Sequence, residues 1–85
     1  MATQDALEWD PEDPTPGYLF MRLADHIEAR IRRGDFPVNS MLPNEREMVL
    51  EYHVSIDTVR RALEELRDRG AVVTLPSRGT YIAKT

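Results

Sequence analysis

The strongest hydrophobic pattern in the chain is a four-residue repeat that runs from residue 18 to about residue 33. Four aliphatic side chains of this repeat fall on one side of a helix: Leu19, Leu23, Ile27 and Ile31. Gly34 follows the last of them, at the usual position of a left-handed cap, and Pro37 prevents the helix from resuming. The pattern therefore predicts a helix of about four turns that ends near Arg33.

Two shorter helical patterns follow, separated only by His53 and Val54. Asn44 and Ser55 precede them, and both residue types are favourable helix N-caps. The side chains predicted to be buried are Met48, Val49 and Tyr52 in the first pattern and Val59, Ala62, Leu63 and Leu66 in the second. A connection this short predicts a helix-turn-helix, a motif whose second helix enters the major groove of DNA.

Residues 71–75 and 80–83 form two β-prone runs on either side of a turn sequence, Pro76-Ser77-Arg78-Gly79. Residues 36–43 have room for one short strand around Met41 and Leu42. The predicted fold class is therefore α+β, in the order helix, strand, helix, helix, strand, strand. No internal repeat is visible in the sequence.

Length and composition exclude several classes of function. A chain of 85 residues buries one modest core, which predicts a single small domain. The chain contains no cysteine, so disulfides, thiolate metal sites and thiol nucleophiles are excluded. No apolar run approaches the roughly 18 residues of a membrane span, and the N-terminus lacks the features of a secretion signal, so we expect a cytoplasmic protein.

Catalytic residues are also lacking. His26 and His53 are the two histidines, and neither has neighbouring ligands that would complete a metal or acid–base site. We therefore expect no enzymatic activity, no metal and no cofactor.

Charge is distributed unevenly along the chain, whose net charge is −4. Residues 1–16 carry five acidic residues and no basic one, whereas the remaining residues carry 10 acidic and 11 basic residues. Ten of the basic residues are arginines, whose planar donors suit phosphate groups and guanine edges. Residues 17–85 are therefore compatible with nucleic-acid binding despite the net acidity.

The acidic segment 1–16 is interpreted as an arm, because prolines interrupt it and only Leu7 and Trp9 could anchor it by packing. One interpretation is a flexible solubilising tail. The other is that Trp9 docks on the domain or on a partner.

One side of the third helix combines basic and acidic residues. At about 100° per residue, four charged side chains fall opposite Val59: Asp57, Arg60, Arg61 and Glu64. One interpretation is a solvated face on which Glu64 and Glu65 pair with the arginines one turn earlier. The other is a DNA-contacting face, which Arg78 at the tip of the predicted hairpin favours because it adds a second basic element.

Four ordered blocks carry a resemblance to a known family: residues 42–47 (LPNERE), 54–63 (VSIDTVRRAL), 66–70 (LRDRG) and 78–82 (RGTYI). They resemble the winged helix-turn-helix DNA-binding domain of GntR-type bacterial transcription regulators, over about residues 18–84. The resemblance implies a recognition helix at 55–69, a wing at 76–79 and double-stranded DNA as the partner. The residues that it places at DNA are Arg46, Ser55, Ile56, Asp57, Thr58 and Arg60, with the wing tip. To these, the exposed helix face adds Arg61, and the wing contributes Arg78, Gly79 and Thr80.

Several positions depart from the residues that are usual in the family. Ile56 stands where arginine, which reads guanine, is common, and isoleucine could instead touch a thymine methyl group. Asp57 could accept a hydrogen bond from cytosine or stabilise the start of the helix. His53 and Ser77 stand where glycine is common, and the wing's glycine corresponds to position 79 or 77.

Members of the family generally continue into a C-terminal domain that senses a ligand and dimerises. Because this chain ends at Thr85, directly after the predicted wing, we expect no such domain and no small-molecule effector. A second copy of the chain on the same DNA is a candidate partner.

Two hypotheses of function follow. The first is a sequence-specific DNA-binding transcription regulator, expected to be a repressor. The alternative is a winged-helix protein-interaction module that has lost DNA binding, which the net acidity and the presence of Ile56 and Asp57 on the recognition helix would favour.

Overall fold

Residues 9–13 and 17–83 are described by the computed structural model. Within them, three helices precede a hairpin: α1 (Leu19–Arg33), α2 (Glu45–Tyr52), α3 (Ile56–Asp68), β1 (Val72–Leu75) and β2 (Gly79–Ile82). The two strands pair in antiparallel fashion, with Val72 opposite Ile82 and Leu75 opposite Gly79. The predicted α+β winged helix-turn-helix is therefore confirmed.

Helix α1 packs mainly against α3 and forms the back of the domain. Its four-residue repeat places Leu23 and Ile27 fully inside, whereas Leu19 and Ile31 are partly buried at the ends of the helix. Gly34 ends the helix with a φ of 90°, in the left-handed region, and its N–H donates to the carbonyl of Ile31 at 3.0 Å.

A single hydrophobic core lies between the three helices and the inner face of the hairpin. Its largest fully buried side chains are Leu23, Ile27, Met48, Val59, Leu66 and Ile82. These residues come from all three helices and from β2, so no element is stable independently of the others.

Asn44 is the N-cap of α2, as the sequence predicts, and it also forms a capping box with Glu47. The Asn44 Oδ1 atom accepts the Glu47 N–H at 2.8 Å, and the Glu47 Oε1 atom accepts the Asn44 N–H at 2.8 Å. Both exchanged bonds satisfy donors that a helix start would otherwise leave free.

The short strand expected within residues 36–43 is reduced to one bridge, between Met41 and Tyr81. Two backbone bonds flank it, from Leu42 N–H to the Thr80 carbonyl and from Ile82 N–H to the Ser40 carbonyl, both at 2.8 Å. Asn39, with a φ of 69°, turns the chain just before the bridge, and Pro43 has no N–H to continue the pairing after it. The wing is therefore a two-stranded sheet with one extra bridge.

Arg69 ties the C-terminal end of α3 to α1. Its guanidinium lies 2.8 Å from Asp25, 2.8 Å from Glu28 and 2.9 Å from Glu65, and the side chain is 22% exposed. A half-buried guanidinium held by three carboxylates restrains how far the two helices can slide, because its planar donors fix direction as well as distance.

Trp9 is docked on the domain, in agreement with the second interpretation of the acidic arm. Its indole packs against His26 and Tyr52, with ring centroids 5.3 and 6.0 Å away. The indole N–H donates to the Tyr52 carbonyl at 2.7 Å, so it satisfies one of the free carbonyls at the end of α2. The other interpretation, a flexible tail, also covers residues 1–8 and 14–16, and these lie outside the described residues.

We predict that the domain loses stability as the pH falls below about 6.5, through His26. Burial, followed by the nearby Arg30, lowers the pKa of His26 below its ordinary value of 6.5. The unfolded chain therefore binds this proton more readily than the folded chain, so the contribution is fully present above pH 6.5 and is lost below it. Urea unfolding followed by circular dichroism between pH 7.5 and 5.5 measures the slope. His26→Phe, which keeps an aromatic ring, should flatten it, and equal slopes would contradict the assignment.

Candidate nucleic-acid interface

Three elements meet on one side of the domain: the first turn of α2, the exposed face of α3 and the tip of the wing, which is the turn between β1 and β2. A groove between α2 and the wing is lined by residues that include Arg46 and Arg78. A smaller hollow is lined by residues that include Arg46 and Arg60. Because Arg46 borders both, the structure brings these three arginines to one side of the domain.

The first turn of α3 is organised by two hydroxyl groups. The Ser55 Oγ atom accepts the Thr58 N–H at 3.1 Å and donates its own hydrogen to Thr58 Oγ1 at 3.0 Å. This confirms Ser55 as the N-cap of α3. The Thr58 hydroxyl, which accepts from Ser55, keeps its own hydrogen for donation to another acceptor.

The arginines on α3 have partners other than those expected for a solvated helix face. Arg60 pairs with Glu45 of α2 at 3.0 Å, and Arg61 pairs with Asp57 at 3.0 Å. Glu65, expected beside Arg61, binds Arg69 instead. Asp57 precedes Arg61 by one turn, which is the more favourable order of acid and base on a helix. The expected pairs of Arg60 with Glu64 and Arg61 with Glu65 are therefore wrong.

The pairing leaves the basic side chains accessible. Arg60 remains 63% exposed and Arg61 61% exposed, and ion pairs at such exposure are worth little in water. Neither Arg46 nor Arg78 forms an ion pair with any residue among 9–13 and 17–83. An incoming phosphate could therefore bind Arg46 and Arg78 directly and compete with Glu45 for Arg60.

Two residues of the predicted wing, Ser77 and Gly79, have positive φ values. Arg78 N–H donates to the Leu75 carbonyl at 3.0 Å, and Ser77 has a φ of 62°. Proline at 76 fixes a negative φ at the preceding turn position, so the turn is type II, in which glycine is favoured where Ser77 stands. Positions 77 and 79, the two candidates for the wing's glycine, thus both have positive φ, and the glycine stands at position 79.

Gly79 has a backbone conformation that residues with a Cβ atom rarely adopt, and a side chain there would also displace Met41. Its φ is 134°, and a Cβ atom there would lie 2.6 Å from the Met41 sulfur. Thr80 is the next residue of β2, and its hydroxyl lies 3.0 Å from that of Thr74 across the hairpin. Thr80 is therefore engaged within the wing, while Arg78 extends from its tip into solvent.

Sequence reasoning did not identify Glu45 and Leu50 as part of this surface. In the sequence, Glu45 is recognisable only as an acidic residue in the first turn of a helix. The packing of α2 on α3 is what brings it next to Arg60. Leu50 is 74% exposed although it is a large aliphatic residue, and this exposure depends on the rotation of α2 in the fold.

Among the described residues, no group of three or more histidine, cysteine, aspartate or glutamate side chains is arranged to hold a metal ion. No helix in residues 9–13 or 17–83 is both long and apolar enough to cross a membrane.

A helix-turn-helix followed by a hairpin wing, with arginines on the second helix and at the wing tip, defines the winged-helix class of DNA-binding domains. The chain belongs to the GntR family of bacterial regulatory proteins, whose model matches residues 19–82. This is a family of regulators and not of enzymes.

Individual relatives agree with this assignment. The transcriptional repressor NagR of Bacillus subtilis is 30% identical over 73 residues, which are 86% of this chain and 29% of the relative. YtrA, a GntR-family transcription factor from Sulfolobus acidocaldarius, is 28% identical with a TM-score of 0.77, covering 93% of this chain and 81% of that one. The AraR DNA-binding domain in complex with operator ORR3 is 25% identical with a TM-score of 0.71, covering 75% and 77%. The chain thus spans less than a third of the length of curated relatives such as NagR.

We predict that His53→Gly stabilises the domain by about 0.5–1 kcal/mol. His53 ends α2 with φ 56° and ψ 48°, a conformation that costs a residue with a Cβ atom more than it costs glycine. The greater freedom of glycine in the unfolded chain offsets part of the gain. Urea unfolding at pH 7.5 measures the change, with His53→Ala as the control because it keeps the Cβ atom and should bring no gain. A less stable glycine variant would show that His53 makes a compensating contact.

Proposed function

We propose that this chain binds a specific double-stranded DNA sequence and represses transcription there. Helix α3 lies in the major groove, and the wing contacts the neighbouring backbone. The observation that carries the proposal is the placement of Arg46, Arg60 and Arg78 on one side of the domain, around the exposed face of α3. Because the proposed target is chromosomal DNA, we propose that the protein acts in the bacterial cytoplasm.

Each residue of the surface has a role in the proposal that follows from its position. Arg60, on the second turn of α3, reads a guanine edge with its planar donors. Arg46 and Arg78, which line the groove between α2 and the wing, bind phosphates. The hydroxyl groups of Ser55 and Thr58 lie at the start of α3, where donors commonly meet a phosphate.

The remaining residues of the surface shape it. Asp57 orients Arg61, which binds a phosphate once the exposed pair loosens. Gly79 allows the wing backbone to approach the DNA closely, because it has no side chain. Thr80 holds the two strands of the wing in register beneath Arg78.

Relatives of known activity support repression as the outcome of binding. NagR is named a transcriptional repressor, and the histidine utilization repressor of Pseudomonas aeruginosa is 33% identical to this chain over 69 residues. A domain bound at an operator blocks access to the same DNA, so repression needs no further chemistry.

The test of this proposal uses DNA fragments selected from a random pool by the wild-type protein. We expect Arg60→Ala to weaken binding by about 1–3 kcal/mol and to relax specificity at one base pair. We expect Arg46→Ala and Arg78→Ala to weaken binding to all sequences alike and to lower the salt dependence by roughly one phosphate contact each. Titrations at several salt concentrations separate the two effects.

Arg32→Ala provides the matched control for these variants. Arg32 lies on α1, is 78% exposed and, among residues 9–13 and 17–83, pairs only with Glu28 of the same helix, so its removal changes the net charge equally without touching the proposed surface. Wild-type affinity in all three surface variants would show that this surface does not bind DNA.

We further propose that two copies of the chain occupy each DNA site. A single small module buries little surface on DNA, and useful specificity generally needs two half-sites about 10 base pairs apart. We expect two-to-one complexes on a selected site and weaker, one-to-one binding when the half-site spacing is lengthened by about half a helical turn. Sedimentation velocity of the complexes measures the stoichiometry. One-to-one binding of full affinity at the original spacing would contradict the pairing and leave DNA binding intact.

A further inference from the structure

An apolar notch lies at the start of the recognition helix. We give this name to the hollow formed by the side chains of Val49, Leu50 and Ile56, whose rim is completed by Glu45, Arg46 and Arg60. The notch lies where the C-terminal half of α2 faces the first residue of α3. It therefore belongs to the same side of the domain as the arginines of the proposed DNA surface.

The core does not explain this notch. Helix α2 buries Met48 and Tyr52, whereas Leu50 points away from the core and is 74% exposed. Ile56 is only partly buried, at the first position of α3. Two large aliphatic side chains are thus left in contact with water beside charged residues, at a cost that packing of the domain does not recover.

The chemistry of the notch fits one feature of double-stranded DNA. Valine, leucine and isoleucine side chains offer neither donors nor acceptors, so they cannot recognise the polar edges of guanine, adenine or cytosine. In the major groove, the C5-methyl group of thymine is the apolar group among the base edges. Arg46 and Arg60 at the rim match the negative charge that surrounds such a methyl group on the DNA.

The spacing along α3 agrees with this occupant. Arg60 follows Ile56 by one helical turn, about 6 Å along the helix axis. Because base pairs are about 3.4 Å apart, the two side chains reach base pairs that are separated by at most about two steps. One helix can therefore contact an apolar group with its first turn and a guanine with its second.

We infer that Ile56, supported by Leu50, recognises the methyl group of a thymine within about two base pairs of the base that Arg60 reads. This specificity rests on the proposed function, because it requires α3 to enter the major groove. Ile56 thus makes an apolar contact where the arginine that is common in the family would make a polar one. A thymine at that position is then a requirement of the operator.

The inference is tested by removing only the methyl group from the DNA. In a fragment selected by the wild-type protein, each thymine is replaced in turn by deoxyuridine, which keeps every hydrogen-bonding group. We expect one replacement per half-site to weaken wild-type binding by about fourfold, the effect of exposing one methyl-sized group. Replacements elsewhere should leave the affinity unchanged.

Protein variants assign the effect to the notch. Ile56→Ala should bind the thymine and deoxyuridine fragments equally, and Leu50→Ala should reduce the difference between them. Val38→Ala is the matched control, because Val38 is also exposed, at 51%, and is not among the residues that line the notch. It should keep the full difference. Circular dichroism confirms that each variant is folded, and replacing the selected guanine by 7-deazaguanine checks that Arg60 still reads its base in Ile56→Ala.

The outcomes separate this inference from the proposal beneath it. If no single thymine is sensitive to loss of its methyl group, or if Ile56→Ala keeps the sensitivity, the inference is overturned even though Arg60→Ala still weakens binding. If neither deoxyuridine nor Arg60→Ala has any effect, α3 does not read the DNA, and both the inference and the proposed function fail.

Discussion

The burial of one face of α3 against α1 is the constraint on which the rest of the domain depends. Val59, Ala62 and Leu66 have no solvent exposure, so the rotation of α3 about its axis is fixed by the hydrophobic effect alone. Arg69, held by carboxylates on both helices, then fixes the position along the axis. The opposite face must point to solvent, and any side chain placed there is presented at a defined angle. The packing of the buried face of α3 therefore determines the direction in which its exposed face is presented.

The presented surface is nearly balanced in charge, and this determines how it meets a polyanion. Glu45 neutralises Arg60, and Asp57 neutralises Arg61, across exposed pairs that each contribute little. On this surface, Arg46 and Arg78 are cations without an ion pair to any residue among 9–13 and 17–83. If this surface binds DNA as proposed, its attraction to arbitrary sequences is weak, and contacts at base edges contribute a larger share of the binding to a correct sequence.

Local signals predict much of this fold, whereas tertiary contacts decide the remainder. The N-caps at Asn44 and Ser55 and the hydrophobic repeats mark the helices correctly, because capping and amphipathicity act within a few residues. The strand that the sequence predicts around Met41 is reduced to a single bridge with Tyr81, because strand pairing depends on which residues the fold brings together. The partner of Arg60 could not be read from the sequence, because Glu45 lies 15 positions away and meets it only in the folded chain. The exposure of Leu50 has the same origin.

Trp9 gives the domain an optical reporter at a useful place. It is the one tryptophan of the chain, so all indole emission comes from a ring bonded to the Tyr52 carbonyl at the end of α2. That ring also lies beside a histidine and 5.6 Å from the Arg22 guanidinium, groups whose charge shifts and quenches indole fluorescence. Emission spectra of the unlabelled protein therefore follow the state of the helix-turn-helix junction directly, in real time and without a chemical dye.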